Sequence, residues 1–121
     1  MILVDTSIWI DHLRKGNARL NELLIEGRVA CHPFIIGELA CGNLKKRGEI
    51  ILLLHALPAV NTISNDEALY FIDEKRLMGL RIGIVDVHLL ASAIITNTPL
   101  WTNDRQLKEV ARGLGILYKT T

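Results

Sequence analysis

The sequence predicts an α/β fold: a three-layer α/β/α arrangement in which helices cover both faces of a central, mostly parallel sheet of four or five strands. Three observations lead there. Short runs rich in branched residues recur along the 121 residues, in "MILV", "RVACH", "AVNTI", "TPLWT" and "GILYK". The stretches between them place apolar residues at helical spacing. The first run does not alternate between apolar and polar residues, as befits a strand buried on both faces. Strands alternating with helices through nearly a whole chain build parallel sheets with crossover helices.

Each element follows in order. Residues 1–4 form the first strand. After Asp5, Thr6 and Ser7, the residues Ile8, Trp9 and Leu13 keep helical spacing until Gly16 and Asn17 break it. A second short helix is expected over residues 19–25, stopped by Gly27, and residues 28–32 make the second strand. Pro33 suits the first turn of a helix, because its missing N–H has no helical partner there. That helix carries Phe34, Ile35 and Leu39 and is expected to reach Leu44. "KKRGEIILLLHAL" is a further helix closed by Pro58, and residues 59–63 are a third strand. Ser64 and Glu67 have capping-box spacing, so a helix begins at Asn65 and runs towards Met78. "GLRIG" is a connector with two glycines. Residues 85–95 are helical, 98–102 a fourth strand, 105–112 a short helix, and 115–119 a last strand. No repeat, low-complexity tract or linker divides the chain, so a single domain over residues 1–121 is expected.

Composition narrows the class. Half the residues are apolar and 22% are charged, which argues against a disordered or fibrous chain. A formal net charge of +1 means that a nucleic-acid partner requires basic residues gathered on one surface. Cys31 and Cys41 show neither metal-ligand nor disulfide-framework spacing and are expected to be reduced core thiols of a cytoplasmic protein. No basic region followed by an apolar run and cleavage site opens the sequence, so no signal peptide is expected. The longest apolar stretches, 50–54 and 89–95, fall well short of the ~20 residues that span a bilayer. No membrane association is expected.

In a parallel sheet, ligands gather beyond the carboxyl ends of the strands. Asp5 stands at that end of the first strand and Asp104 just after the fourth; the two meet if their strands are neighbours. Two more acids lie in apolar surroundings, Glu38 in "PFIIGELACG" and Asp86 in "GIVDVHLLASAI". On a helix, Asp86 shares one face with Leu89, Leu90 and Ala93. Glu38 sits among Ile35, Ile36, Leu39 and Cys41, in a segment expected to be largely buried. Four carboxylates at low dielectric repel one another and raise their pKa values until some protonate. A divalent cation removes that conflict, and hard oxygen ligands with room for water favour Mg2+, or alternatively Mn2+. Each acid also has a plainer use. Asp5, Thr6 or Ser7 suits the cap of the first helix, Asp86 and Asp104 suit caps of theirs, and Glu38 suits a solvated pair with Lys45 or Lys46. One shared site accounts for all four better than four unrelated uses do.

Other candidates carry less. None of His12, His32, His55 and His88 pairs with another at the spacing of a helical zinc site. His88 points away from Asp86 on a helix and is expected to have a surface or packing role. Ser7 and Ser92 have no histidine placed to activate them. Trp9 and Trp101 read as core, and "GELACG" lacks the Lys-Ser/Thr of a phosphate loop.

Taken together, "VDTS", "GELACG", "DVHLLASA" and "TND", in that order, resemble the PIN-domain ribonucleases, and most closely the VapC toxins of toxin–antitoxin pairs. The resemblance covers nearly the whole chain. It implies a PIN-like fold and an acidic site of Asp5, Glu38, Asp86 and Asp104 that binds Mg2+ or Mn2+, with Asp104 acting directly or through water. Thr6, Ser7 and Thr102 match its hydroxyl positions and would fix carboxylate geometry by hydrogen bonds. Leu107 departs from the aromatic residue of many relatives. The implied activity is metal-dependent hydrolysis of RNA phosphodiesters. The implied partners are an antitoxin that blocks the site and a second copy in a homodimer. An acidic cluster repels RNA, so rim cations must draw it in; Arg14, Lys15, Lys45, Lys46, Arg47, Arg81 and Arg105 are the candidates, with salt-dependent binding as their signature. The alternative is a non-catalytic RNA- or protein-binding domain on the same scaffold. A phosphoryl-transfer domain with Asp5 as nucleophile ranks lower, because no second acid sits two residues on.

Overall fold

The computed structural model describes residues 1–120. In chain order it contains β1 (Ile2–Val4), α1 (Thr6–Lys15), α2 (Ala18–Ile25), β2 (Val29–Ala30), α3 (Pro33–Ala40), α4 (Arg47–Ala56), α5 (Asn65–Lys75), α6 (Ile84–Thr96), β3 (Leu100–Trp101) and α7 (Arg105–Gly113). The sheet order is β2-β1-β3, and both pairings are parallel, with Ile2 opposite Val29 and Leu3 opposite Leu100. β1 is therefore central, which explains its unbroken apolar run. Leu3 and Val4 are fully buried, and burial of such side chains contributes about 1.5–3 kcal/mol each. Trp9, Leu20, Leu39, Leu90 and Leu107 join β1 in one continuous core, and both tryptophans belong to it. The helices pack as two groups, α1 with α3 and α4, and α5 with α6, as the outer layers of an α/β/α arrangement require.

The strand count differs from the expected four or five. Three strands form, and the other two runs contribute one bridge each: Ala59 beside Cys31, and Leu117 beside Leu100, both parallel. Space and hydrogen bonding explain the shortening. Pro33 starts α3 almost at once after β2, leaving little edge to pair with. Beyond Val60 the chain turns away, and the Asn61 N–H donates to Thr96 Oγ1 on α6 at 3.0 Å. The same five positions persist as a parallel array, with its outer members reduced to bridges.

Helix ends show local chemistry. The Ser64–Glu67 capping box forms in both directions, at 3.1 and 2.8 Å. α5 stops before Met78 because Arg76 turns left-handed (φ 55), and the Leu77 N–H returns to the Ile72 carbonyl at 3.0 Å. α3 ends at Ala40 rather than Leu44, and Arg47 Nε satisfies the Ala40 carbonyl at 2.9 Å. Cys41 falls in the turn that follows and is exposed, so only Cys31 is a core thiol. Burial pushes the Cys31 thiol up to about 11. No helix among the described residues is long and apolar enough to cross a membrane.

Candidate active site

β1 and β3 lie side by side and parallel, so the residues after each strand emerge together. The Asp5 N–H donates to the Trp101 carbonyl at 2.9 Å, which sets the register of the two exits. Asp5 occupies the N-cap position of α1, yet its side chain makes no capping bond. Its Oδ2 instead accepts from Thr102 Oγ1 at 2.7 Å and from Ser7 Oγ at 2.9 Å. Thr102 Oγ1 in turn accepts the Asp104 N–H at 3.0 Å, and Ser7 Oγ accepts the Asn103 N–H at 2.9 Å. Two hydroxyls thus stitch the loop after β1 to the loop after β3, with the Asp5 carboxylate buried between them.

The remaining acids arrive on helices. Thr6 Oγ1 donates to Glu38 Oε1 at 2.7 Å, tying α3 to the start of α1. Glu38 is exposed, contrary to the buried setting expected for it; Ile35 and Leu39 form the buried side of α3, and Glu38 faces outward between them. Asp104 caps α7, its Oδ1 accepting the Leu107 N–H at 2.8 Å. Asp86 sits in the first turn of α6, half-buried, and its Oδ2 accepts the Gly83 N–H at 3.2 Å. Burial raises the Asp86 carboxyl above its ordinary value; the Gly83 N–H opposes this, and the charges of Asp5, Asp104 and Glu38 add to it. All three other acids therefore act on Asp86 as neighbours.

Nothing among the described residues neutralises them. Among the described residues none of the four forms an ion pair. Each carboxylate commits one oxygen to a structural hydrogen bond, and the other receives no protein donor among the described residues. The capping uses of Asp86 and Asp104 thus coexist with a free oxygen on each. No three His, Cys, Asp or Glu side chains among the described residues are gathered closely enough to hold a metal ion as they stand. The acids are neighbours as charges, without forming a closed cage. Such a donor set, all carboxylate oxygen with room between ligands, fits a hard divalent cation that retains water.

The basic candidates are all exposed but dispersed. Arg14 and Lys45 line one cavity of about 350 Å³ between α1 and the turn before α4. Lys15 pairs with Asp11 at 3.3 Å, and Arg47 is partly committed to the Ala40 carbonyl. His88 has the packing role expected, buried with its ring centroid 4.8 Å from that of Phe34. His32 has a use that its sequence position alone did not reveal. It caps α3 by accepting the Phe34 N–H on Nδ1 at 2.9 Å, and burial, then the neighbouring His88, lowers its pKa to about 4. A polar residue immediately before Pro33 was the available signal.

Comparison with known proteins agrees with this geometry. Residues 2–113 match the PIN domain family model. Over 117 residues the chain is 44% identical to Ribonuclease VapC32 of Mycobacterium tuberculosis, covering 96% of this chain and 94% of that protein. The same protein in a second strain matches equally well. Among solved structures, PAE2754 from Pyrobaculum aerophilum superposes with a TM-score of 0.62 at 18% identity, over 93% of this chain and 80% of that one. FitAB bound to the IR36 DNA fragment gives a TM-score of 0.60 at 19% identity, over 93% and 91%. These two establish likeness of fold. With a family model matched over residues 2–113 and a relative matched over almost its full length, the chain belongs to the PIN-domain family and, within it, to the VapC group.

Proposed function

We propose that this protein is a metal-dependent ribonuclease that hydrolyses RNA phosphodiester bonds and serves as the toxin of a toxin–antitoxin pair. The observation that carries the reading is the uncompensated acidic cluster: four carboxylates, no cationic partner among the described residues, and an Asp86 whose pKa is raised by burial first and then by the charges of the other three. Asp5, Glu38 and Asp86 would hold Mg2+, or Mn2+ in its place, and Asp104 would complete the set directly or through water. When bound, the cation supplies charge neutralisation at the phosphate and a more acidic water at neutral pH. The chain's own residues supply position. Thr102 and Ser7 fix the Asp5 carboxylate, and Thr6 fixes Glu38, which limits the reorganisation that binding requires.

A small antitoxin that covers the acids and a homodimer belong to the same reading, as does a cytoplasmic location. Leu52 and Leu53 on α4 are 73% and 46% exposed and offer apolar surface for such contacts. The experiment is cleavage of RNA with Mg2+ or Mn2+ against EDTA, by wild type, Asp5→Ala and Asp86→Ala. Cleavage confined to wild type with metal is expected. Cleavage that survives chelation, or is undiminished in both variants, overturns the metal site. RNA binding without any cleavage returns the non-catalytic alternative.

A further inference from the structure

A second feature shares a wall with the acidic site. A cavity of about 510 Å³ opens between the end of β3, one face of α7 and the segment after α7, and Thr102, which holds Asp5, lines it. We infer that this cavity is a nucleotide subsite for single-stranded RNA, one that stacks a base on Tyr118 and holds the adjoining phosphates with Lys108, Arg112 and Lys119.

The cations stand in register with the acids. Asp104 begins α7, and Lys108 and Arg112 follow at four-residue steps, so all three share one helix face. The steps place the cations about 6 and 12 Å along the axis from Asp104. A strand whose phosphate lies at the acids and which runs along α7 meets first one cation and then the other. Lys119 lines the same cavity, and among the described residues no carboxylate lines it. Arg112 touches Glu109 in an exposed pair, and pairs of that kind are weak enough to exchange for a phosphate.

The aromatic floor is held in advance of binding. The Tyr118 ring lies with its centroid 5.4 Å from that of Trp101, at 55°. Its hydroxyl accepts Arg19 Nε at 2.8 Å, and its N–H bonds the Leu100 carbonyl at 2.8 Å. A ring secured at both ends loses little freedom when a base stacks on it. Aromatic platforms flanked by cations are the means by which proteins bind single-stranded RNA with its bases splayed. Neither the cavity nor this alignment requires the cation at the acids, but the assignment of RNA as occupant rests on the ribonuclease reading.

The test is equilibrium binding of a short fluorescein-labelled single-stranded RNA in EDTA, where cleavage is off, by wild type, Tyr118→Leu and the surface pair Lys108→Gln with Arg112→Gln. Tyr118→Leu should weaken binding about 30-fold, the middle of the range for one stacked base. The double variant should lower the slope of log Kd against log salt by about 1.4, the share of two single-strand phosphate contacts. Thermal melting of each variant separates misfolding from loss of the subsite, and the two surface glutamines leave the fold intact. An unchanged Kd in Tyr118→Leu with an unchanged salt slope in the double variant overturns the subsite, as does wild-type protein that binds no RNA. Cleavage with Mg2+ is scored separately. RNA bound through these residues but left intact counts against the nuclease alone, whereas RNA cleaved with no dependence on them counts against the subsite alone.

Discussion

Thr102→Val is the most direct probe of how the site is held. Valine keeps the shape of threonine, so the substitution removes a hydroxyl without opening a cavity. Thr102 is 1% exposed, and its Oγ1 both donates to Asp5 at 2.7 Å and accepts the Asp104 N–H at 3.0 Å. A hydrogen bond to a charged group contributes about 1.5–3 kcal/mol. Ser7 still reaches Asp5 Oδ2 at 2.9 Å, so the carboxylate keeps one donor. The Asp104 N–H belongs to an exposed residue and can turn to water. The expected loss is therefore near the lower end, about 2 kcal/mol, which in a chain of this size lowers Tm by about 8 °C. Thr102→Ser retains the hydroxyl and loses one methyl, about 0.8 kcal/mol, and should fall about 3 °C. The assays are thermal unfolding in EDTA and Mg2+ affinity by calorimetry. Misplacing a group that orients a ligand lowers metal affinity or activity about 10- to 100-fold, and serine should restore most of it. A valine variant that melts with wild type and binds Mg2+ equally well would refute the claim that this hydroxyl positions Asp5.

Three further expectations concern the remaining acids and the thiols. Asp86→Asn keeps an oxygen for the Gly83 N–H but removes a carboxylate whose pKa burial and its neighbours raise. A raised folded-state pKa contributes stability at low pH that is lost as pH rises through that value, so the variant should melt above wild type at neutral pH in EDTA. The order should reverse in Mg2+, where only wild type gains from binding; a variant less stable in both buffers would remove the repulsion argument. Thr6→Val frees the exposed Glu38 and should shift stability by no more than about 0.5 kcal/mol, while cutting RNA cleavage about tenfold. Wild-type cleavage by that variant would mean that Glu38 needs no tether. A thiol reagent should modify exposed Cys41 quickly and buried Cys31 only on unfolding; two equally fast thiols would contradict the packing of α3.

Features that depend on near neighbours were legible in the chain alone. The unalternating run before Asp5 marked a central strand, because a chain buried on both faces has no polar side to show. Ser64 and Glu67 announced the start of α5, since a capping box closes within one turn. Two acids after strands, Asp5 and Asp104, and two in apolar sequence, Glu38 and Asp86, pointed to one site because carboxylates gathered at low dielectric without a cation are costly. Contacts between residues far apart in the chain became visible only in the folded molecule. The sheet order β2-β1-β3 brings Thr102 to Asp5 across 97 residues, and the contact of α1 with α3 brings Thr6 to Glu38 across 32. No local pattern encodes which hydroxyl meets which carboxylate, because that depends on strand order and helix docking. The same limit hid the exposure of Glu38 and Cys41, which follows from where α3 rests and where it stops. It also hid the cavity beside Thr102, whose tyrosine and cations face one another only once the segment after α7 lies along β3.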